Sequence, residues 1–509
     1  MGIFLNHFEN FVMKKYLFPL LTIAATFAAN AQEVSDALRY SQDNLTGTAR
    51  FRAMSGAFGA LGGDFSSLNV NPAGGAIFTT NQMAVTLSSI NTKNNSDFFG
   101  TKTEDKENAF DLNQLGAIWV FENRNLDSNW KKFSVGINYE NANNFDNRQF
   151  SAGLNPQNSV ANYFLSYANG IPLQNITGTP FEAMTFAEQQ AYFGYNGFLI
   201  NPSTDVGNNT AYVSNVPAGG NYFQENTIFE SGYNGKISFN GAFQYTDRFY
   251  FGLNLNAHFT DYTRRTSFYE DYLDTPGSSS TTGVQALRFN NELYTYGSGF
   301  SFQLGAIAKV TDELRLGLAY QSPTWMTLFD EGYQNISVDC ADCGAGIIDP
   351  GTIIIYPEYR LQTPGEYTGS LAYIFGDKGL ISVDYTMKDY SSAKFRPNDS
   401  FFNGRNNEIE SVLDATSELR VGAEARAKQW SFRGGYRFEQ SPYKNGQTVG
   451  DLHGFSAGLG YDFGGTRLDL AYAYSKREFN QGFFSQGLVD APTIDAINNN
   501  VSLTLLFSL

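Results

Sequence analysis

Six charged residues share one parity within each of two neighbouring segments: Arg420, Glu424 and Arg426, then Arg433, Arg437 and Glu439. An extended chain throws residues of one parity to one face, so each trio lines one side of a strand. That is too much charge for a dry interior, and it calls for water, ion-pair partners or a polar plug. Two readings stand side by side: an arginine–glutamate ladder bracing a wall, or a patch that touches a solute. Cys340 and Cys343, in Cys-Ala-Asp-Cys, have the spacing of a redox pair or half a zinc site. No second cysteine pair or histidine cluster lies nearby, and a local disulfide outside the reducing cytosol is the favoured reading. His258 and His453 lie on different strands with no serine motif beside either, so the constellation of an activated nucleophile is missing. The expectation is a protein that is not an enzyme, with no resident metal and no cofactor.

What must position these residues is a set of ribbons. Leu468, Leu470, Tyr472 and Tyr474 alternate with Asp469, Ala471, Ala473 and Ser475, giving one oily and one wet face. The same rhythm predicts fourteen strands, at about 82–91, 112–122, 131–145, 228–246, 249–270, 285–310, 314–337, 365–376, 380–396, 417–427, 430–443, 453–463, 466–483 and 499–509. Tight turns such as Thr246-Asp247-Arg248 and Gly464-Gly465 alternate with long polar connections, the longest from about Asp146 to Thr227. An even count with short turns at one end and long loops at the other is the layout of an outer-membrane barrel. Composition agrees. The chain has 45 Phe, 30 Tyr and 50 Gly, which suit aromatic girdles and small lumen-facing residues. A net charge of −16 leaves nothing to neutralise phosphates, which argues against nucleic acid. The expected surroundings are outer-membrane lipid and lipopolysaccharide.

An export signal precedes the ribbons. Lys14 and Lys15 are followed by the apolar run Tyr16 to Phe27 and by Ala29-Asn30-Ala31, a small-x-small cleavage site. Residues 1–31 read as a signal peptide cut after Ala31, with Met13 a better start than Met1. The apolar run is too short to cross a bilayer as a helix.

Between residues 32 and 81 the alternation is absent. Ala49-Arg50-Phe51-Arg52-Ala53-Met54-Ser55-Gly56-Ala57-Phe58-Gly59-Ala60-Leu61-Gly62-Gly63-Asp64 leads to Asn71-Pro72-Ala73. Glycines this dense let backbone pack on backbone, and about fifty residues is too little for an independent domain. The segment reads as a hatch, with residues 82–509 forming the barrel and its extracellular loops. In this small-residue segment, the Asn71-Pro72-Ala73 triplet and the fourteen-strand count, the chain resembles the FadL/TodX family of outer-membrane channels for hydrophobic compounds. The resemblance implies an all-β, monomeric transmembrane antiparallel barrel whose lumen is closed by the N-terminal hatch. It implies passive uptake of long-chain fatty acids or similar apolar molecules, hatch rearrangement, and sideways exit through the wall near the third strand. Here that gap would fall along Phe133–Phe145, at Gly136 or at Asn141–Asn144. The apolar, Phe-containing last strand resembles the signal read by barrel-assembly machinery.

The long connection after Asp146 offers an apolar entrance. Thr179-Pro180-Phe181-Glu182 predicts a capped helix with Phe181, Met184 and Ala187 on one side. Tyr163, Phe164 and Tyr167 form a second aromatic cluster. The alternative is that these faces pack on each other above the barrel. Haem is an alternative cargo for the same barrel, through a histidine pair or a tyrosine ligand. A general porin conflicts with a hatch that would block a diffusion pore, and an adhesive or structural barrel stands as the competing reading, one in which deleting the residues before Gln82 would change neither conductance nor uptake.

Overall fold

In the computed structural model, which describes residues 32–125, 127–344 and 346–509, fourteen strands close an antiparallel barrel. They are β1 Gln82–Phe98, β2 Thr101–Glu122, β3 Trp130–Asn144, β4 Tyr222–Tyr245, β5 Phe249–Asp271, β6 Val284–Lys309 and β7 Leu314–Gln321 on one half. The other half is β8 Glu366–Ile374, β9 Gly379–Asp389, β10 Ala415–Ala427, β11 Trp430–Glu439, β12 Val449–Asp462, β13 Thr466–Asn480 and β14 Thr493–Ser508. β14 returns to β1 in register from Gln82↔Ser508 to Asp97↔Thr493, so the sheet has no free edge there. Hydrocarbon offers an unpaired backbone no partner, which is why a lipid-spanning sheet must close. The signal-peptide assignment lies in residues 1–31, outside the described residues.

Alternation sets the faces as expected. Phe249, Phe251, Leu253 and Leu255 are exposed on the outer skin, while Asn254 and Asn256, of the opposite parity, are buried in the bore. Crossing the hydrocarbon takes about 9–11 residues, so the longest strands project far beyond it. On β5 the outward side chains turn polar at Asp261, Thr263 and Arg265, which marks the upper edge of the lipid belt.

Several boundaries differ from expectation, each for a local reason. Residues 92–111 form no loop: β1 and β2 run on as a paired hairpin to a two-residue turn at Phe99 and Gly100, both at positive φ (49° and 83°). Above the lipid both faces of a strand can be polar, so the alternation that marks a strand lapses there. The expected strand 314–337 breaks at Ser322-Pro323-Thr324. β7 pairs with β6 and β8, and the continuation Trp325–Cys340 stays on β6 but meets other partners above. Pro323, with no N–H to give a ladder, sits in the break.

The 146–227 connection is a structured dome. It holds strand Asn147–Asn155, helices α3 Ala161–Ala168, α4 Leu173–Gly178 and α5 Phe186–Asn196, and a small hairpin. The helix expected from the Thr179 cap is corrected. Phe181–Ala183 is only a 3-10 turn, and the helix starts at Phe186 under a capping box of Thr185 and Glu188. Glu182 is exposed and caps nothing, because Met184 is extended and halts the first turn.

Candidate functional site: a hatch, a cavity and an interrupted wall

Residues 32–81 lie inside the barrel. Helices α1 Val34–Arg39 and α2 Ala49–Ala53 and two 3-10 turns, Ser66–Asn69 and Pro72–Ile77, are joined by tight loops, and across turns and loops Met54, Phe58, Phe65 and Leu68 are fully buried. Hydrogen bonds reach the wall around most of its circumference. Gly47 N–H donates to Asn113 Oδ1 on β2 (2.5 Å), and Ala49 N–H to Thr504 on β14 (2.7 Å). Phe58 and Gly59 N–H both donate to Asp384 on β9 (2.9 Å each), and Asn254 on β5 donates to the Leu68 carbonyl (2.7 Å).

The Asn71-Pro72-Ala73 triplet is a joint in this packing. Asn71 Oδ1 accepts from Ala73 N–H (3.1 Å), capping the turn Pro72–Ile77, with Pro72 at the position where a missing N–H costs nothing. Its Nδ2 donates inward to the Gly59 carbonyl (2.7 Å) and outward to the Ala306 carbonyl of β6 (3.1 Å). Wall glycines clear the space. A Cβ on Gly305 would stand 2.0 Å from Asn71 Oδ1, and one on Gly252 would stand 2.2 Å from the Pro72 backbone. Within the hatch Gly62, at φ +64°, packs so closely on Gly74 that a Cβ would come within 2.7 Å of its Cα.

All six predicted charged residues point inward, and they divide into two groups. In the first, Glu424 accepts from Arg433 (2.6 Å), Arg426 (2.5 Å) and Arg50 of the hatch (3.0 Å), and Arg433 also holds Asp469 (2.6 Å). In the second, Glu418 pairs with Arg420 (2.5 Å) and Arg437 (2.9 Å), and Glu439 pairs with Arg437 and Arg477. Sequence reasoning missed Arg50, Asp469, Glu418 and Arg477. The signal for Arg50 was present: an arginine in an otherwise small, apolar stretch needs an anion across the bore.

On the far side the wall is interrupted. The β2–β3 ladder stops at Gln114↔Glu140, and β2 continues to Thr101 paired with β1 alone. On its other side β3 slips register against β4 between Asn141 and Asn143. The chain kinks through Phe145-Asp146 and resumes as strand Asn147–Asn155, which pairs with β4 but not with β2. Side chains alone bridge this seam. Asn94 donates to the Arg148 carbonyl (2.6 Å), Ser96 and Ser151 hydroxyls meet at 2.6 Å, Thr103 donates to the Phe150 carbonyl (2.5 Å), and Arg148 pairs with Asp105 (3.0 Å). Gly136 keeps its place in both ladders, so the irregularity belongs to the asparagine run.

A cavity of about 130 Å³ lies between hatch and wall. Its lining includes Leu45, Arg52 and Ser55 from the hatch and Asn113, Asn144 and Asp146 from the interrupted region.

The family model described as outer membrane protein transport protein (OMPP1/FadL/TodX) matches residues 197–487. The chain belongs to that family. Family members are outer-membrane transport proteins for hydrophobic compounds, so this barrel resides in the outer membrane and is a transporter, not an enzyme. Solved structures agree on the fold. A deltaS2 mutant of the TodX monoaromatic hydrocarbon channel superimposes with a TM-score of 0.51 at 12% identity, covering 92% of this chain and 100% of its own. The Pseudomonas putida toluene transporter TodX gives 0.50 at 15% identity, with coverage of 92% and 100%. No curated protein matches the sequence.

Within this FadL/TodX barrel the remaining predicted residues fall as follows. Tyr163, Phe164 and Met184 are buried in the dome, and Tyr167 and Phe181 are half-buried at its margin. Phe164 and Phe193 pack on Phe289 of β6, so the aromatic faces close on each other and on the barrel rim. Cys340 and Cys343 are joined as a disulfide at the tip of a long connection, where Ala341 and Asp342 bond with Gly283 of the preceding loop. His258 faces the bore and bonds Ser301 (2.8 Å), whereas His453 stands on the outer skin beside Tyr436 (3.0 Å). They cannot act as a pair. No cluster of metal-ligating side chains occurs among the described residues.

Proposed function

We propose that this protein is a passive uptake channel for apolar small molecules, in which cargo passes the dome, enters the hatch cavity and leaves sideways through the β2–β3 seam. Fatty acids and monoaromatic compounds are the cargo classes. The second enters because the TodX structures it resembles are named for toluene and monoaromatic hydrocarbons. Tyr167 and Phe181 at the dome margin offer apolar surface to an arriving solute, and the Glu424 and Glu418 networks hold the opposite wall while the hatch shifts. The chain acts as a monomer, exported by its signal peptide and inserted by barrel-assembly machinery.

One observation carries this reading: a single cavity is bounded both by the hatch and by the residues where the wall loses its ladder. A moving hatch would thus change the cavity that abuts the seam. Deleting residues 32–81 tests it. The deletion is expected to raise bilayer conductance and to abolish saturable uptake of radiolabelled toluene or oleate in proteoliposomes. Unchanged conductance and uptake would reduce the hatch to a structural filler and defeat the proposal.

A further inference from the structure

Arg52 is the unexplained charge of the hatch. It is 4% exposed. Its neighbour Arg50 has Glu424, but Arg52 has no carboxylate within ion-pair distance among the described residues. One Nη donates to Ser88 Oγ (2.9 Å) and at longer range to Asn113 Oδ1 (3.5 Å), and Nε has no partner. A buried guanidinium N–H left unmade is costly, and such groups in native proteins mark a missing partner. Arg52 lines the 130 Å³ cavity. The other lining cation, Arg437, is already held by Glu418 and Glu439. Asp146 also lines the cavity, and Asp111 and Glu140 stand near Arg52 without touching it, so only a ligand that contacts the guanidinium directly gains from it.

The rest of the lining sets the size and character of the ligand. Leu45, Ile90 and Leu452 supply an apolar side, and Ser55 and Asn500 supply neutral polar atoms. An apolar cavity of about 150 Å³ accommodates one benzene ring. The space here is of that order, and with the hatch in this position a long acyl chain does not fit, so such a cargo needs the hatch to shift first. Resting on the uptake reading above, we infer that the hatch cavity is a binding site for a small apolar carboxylic acid of about the size of benzoate, its carboxylate on Arg52 and its ring against Leu45, Ile90 and Leu452. A guanidinium presents paired N–H donors in the plane a carboxylate accepts.

Calorimetry on the purified full-length protein in detergent tests this with benzoate, toluene, benzyl alcohol, acetate and inorganic phosphate. Benzoate is expected to bind at least tenfold more tightly than benzyl alcohol, toluene or acetate. R52Q should lose at least tenfold of the benzoate affinity, and R52K should retain part of it. Barrel integrity is checked by heat-modifiable gel mobility. If R52Q fails to fold, the ligand series on the natural protein and R52K still decide. Equal binding of benzyl alcohol and benzoate removes the role of the charge. Acetate or phosphate binding as well as benzoate makes this a simple anion site and overturns the inference. Toluene uptake without benzoate binding overturns the inference and leaves the channel reading intact. Failure of every solute to enter proteoliposomes defeats the channel reading itself.

Discussion

Two sides of the same barrel are built on opposite terms. At β9–β13 the wall keeps its ladder on every strand, with one register shift near the upper end between Val449 and Leu452, and its inner face is cross-braced by buried ion pairs, with Glu424 taking three guanidiniums from two wall strands and the hatch. At β2–β3 the ladder ends at Gln114↔Glu140, and above that point Asn94 and Ser96 of β1 and Thr103 of β2 contribute neutral bonds, with one ion pair, Arg148 to Asp105, where the ladder is missing. A buried charge cannot leave its partner without a large desolvation penalty. A hydroxyl pair can exchange its bond for water at little net cost. The comparison teaches where this protein can afford to move: the hatch is held by buried charge on one flank and by hydrogen bonds to neutral side chains beside a weakly joined wall on the other.

Removing one anchor should show the largest effect. Glu424→Gln leaves Arg50, Arg426 and Arg433 without their shared carboxylate and should cost about 3–5 kcal/mol, read as a lowered urea midpoint for loss of the fast-migrating folded barrel. Ser96→Ala at the seam removes one hydroxyl–hydroxyl bond and should cost only about 1 kcal/mol. Similar losses for the two would erase the proposed asymmetry. Function should respond the other way round. Ser96→Cys with Ser151→Cys places thiols where the hydroxyls now meet at 2.6 Å. In a background with Cys340 and Cys343 replaced by Ser, oxidation should stop uptake and reductant should restore it. Transport that continues through a verified cross-link would place the exit elsewhere.

The rhythm of Leu468–Ser475 and its counterparts made the barrel legible, because lipid outside and water inside force a period of two on every strand. The hatch was legible as a break in that rhythm, and the inward parity of Arg433 and Arg437 followed from it. What stayed hidden depends on contacts across the bore. Arg50 and Glu424 are 374 residues apart in sequence, and nothing local to either names the other. Gly252 and Gly305 look like ordinary barrel glycines until Pro72 and Asn71 are placed against them. The asparagine run at 141–144 drew attention for its composition, but only the register slip locates the irregularity there. The dome aromatics show the same limit. An apolar stripe does not say whether it awaits a solute or a neighbour, and here Phe164 and Phe193 find Phe289.

The wall glycines sharpen the contrast at smaller scale. Gly305→Ala forces a Cβ to within 2.0 Å of Asn71 Oδ1. Overpacking of this kind costs about 1–3 kcal/mol, and the hatch turn Pro72–Ile77 should yield before the wall does. The expected readout is raised or flickering conductance with little change in barrel stability. A quiet channel would mean that the hatch is no softer than the strands around it.

The smallest effect belongs to the dome, outside the lipid belt. Glu270 is fully buried near the upper end of β5. It accepts from Ser159 Oγ (2.5 Å), Val160 N–H (3.0 Å) and Gln224 Nε2 (2.6 Å), and thereby ties the start of α3 to the rim. Burial outweighs these donors and pushes its carboxyl up to about 7. A raised carboxyl stabilises the folded dome in its protonated form. That contribution is complete below the ordinary carboxylate range and is lost as pH rises through about 7. Amides of residues 159–168 should therefore exchange faster at pH 8 than at pH 6, beyond the intrinsic base catalysis of exchange. Glu270→Gln, uncharged at both values, should remove the excess. Protection that is independent of pH in the natural protein, or a dependence that survives in Glu270→Gln, would assign the dome's hold to its aromatic core. The entrance would then join the braced side of the comparison, leaving the seam as the single yielding region.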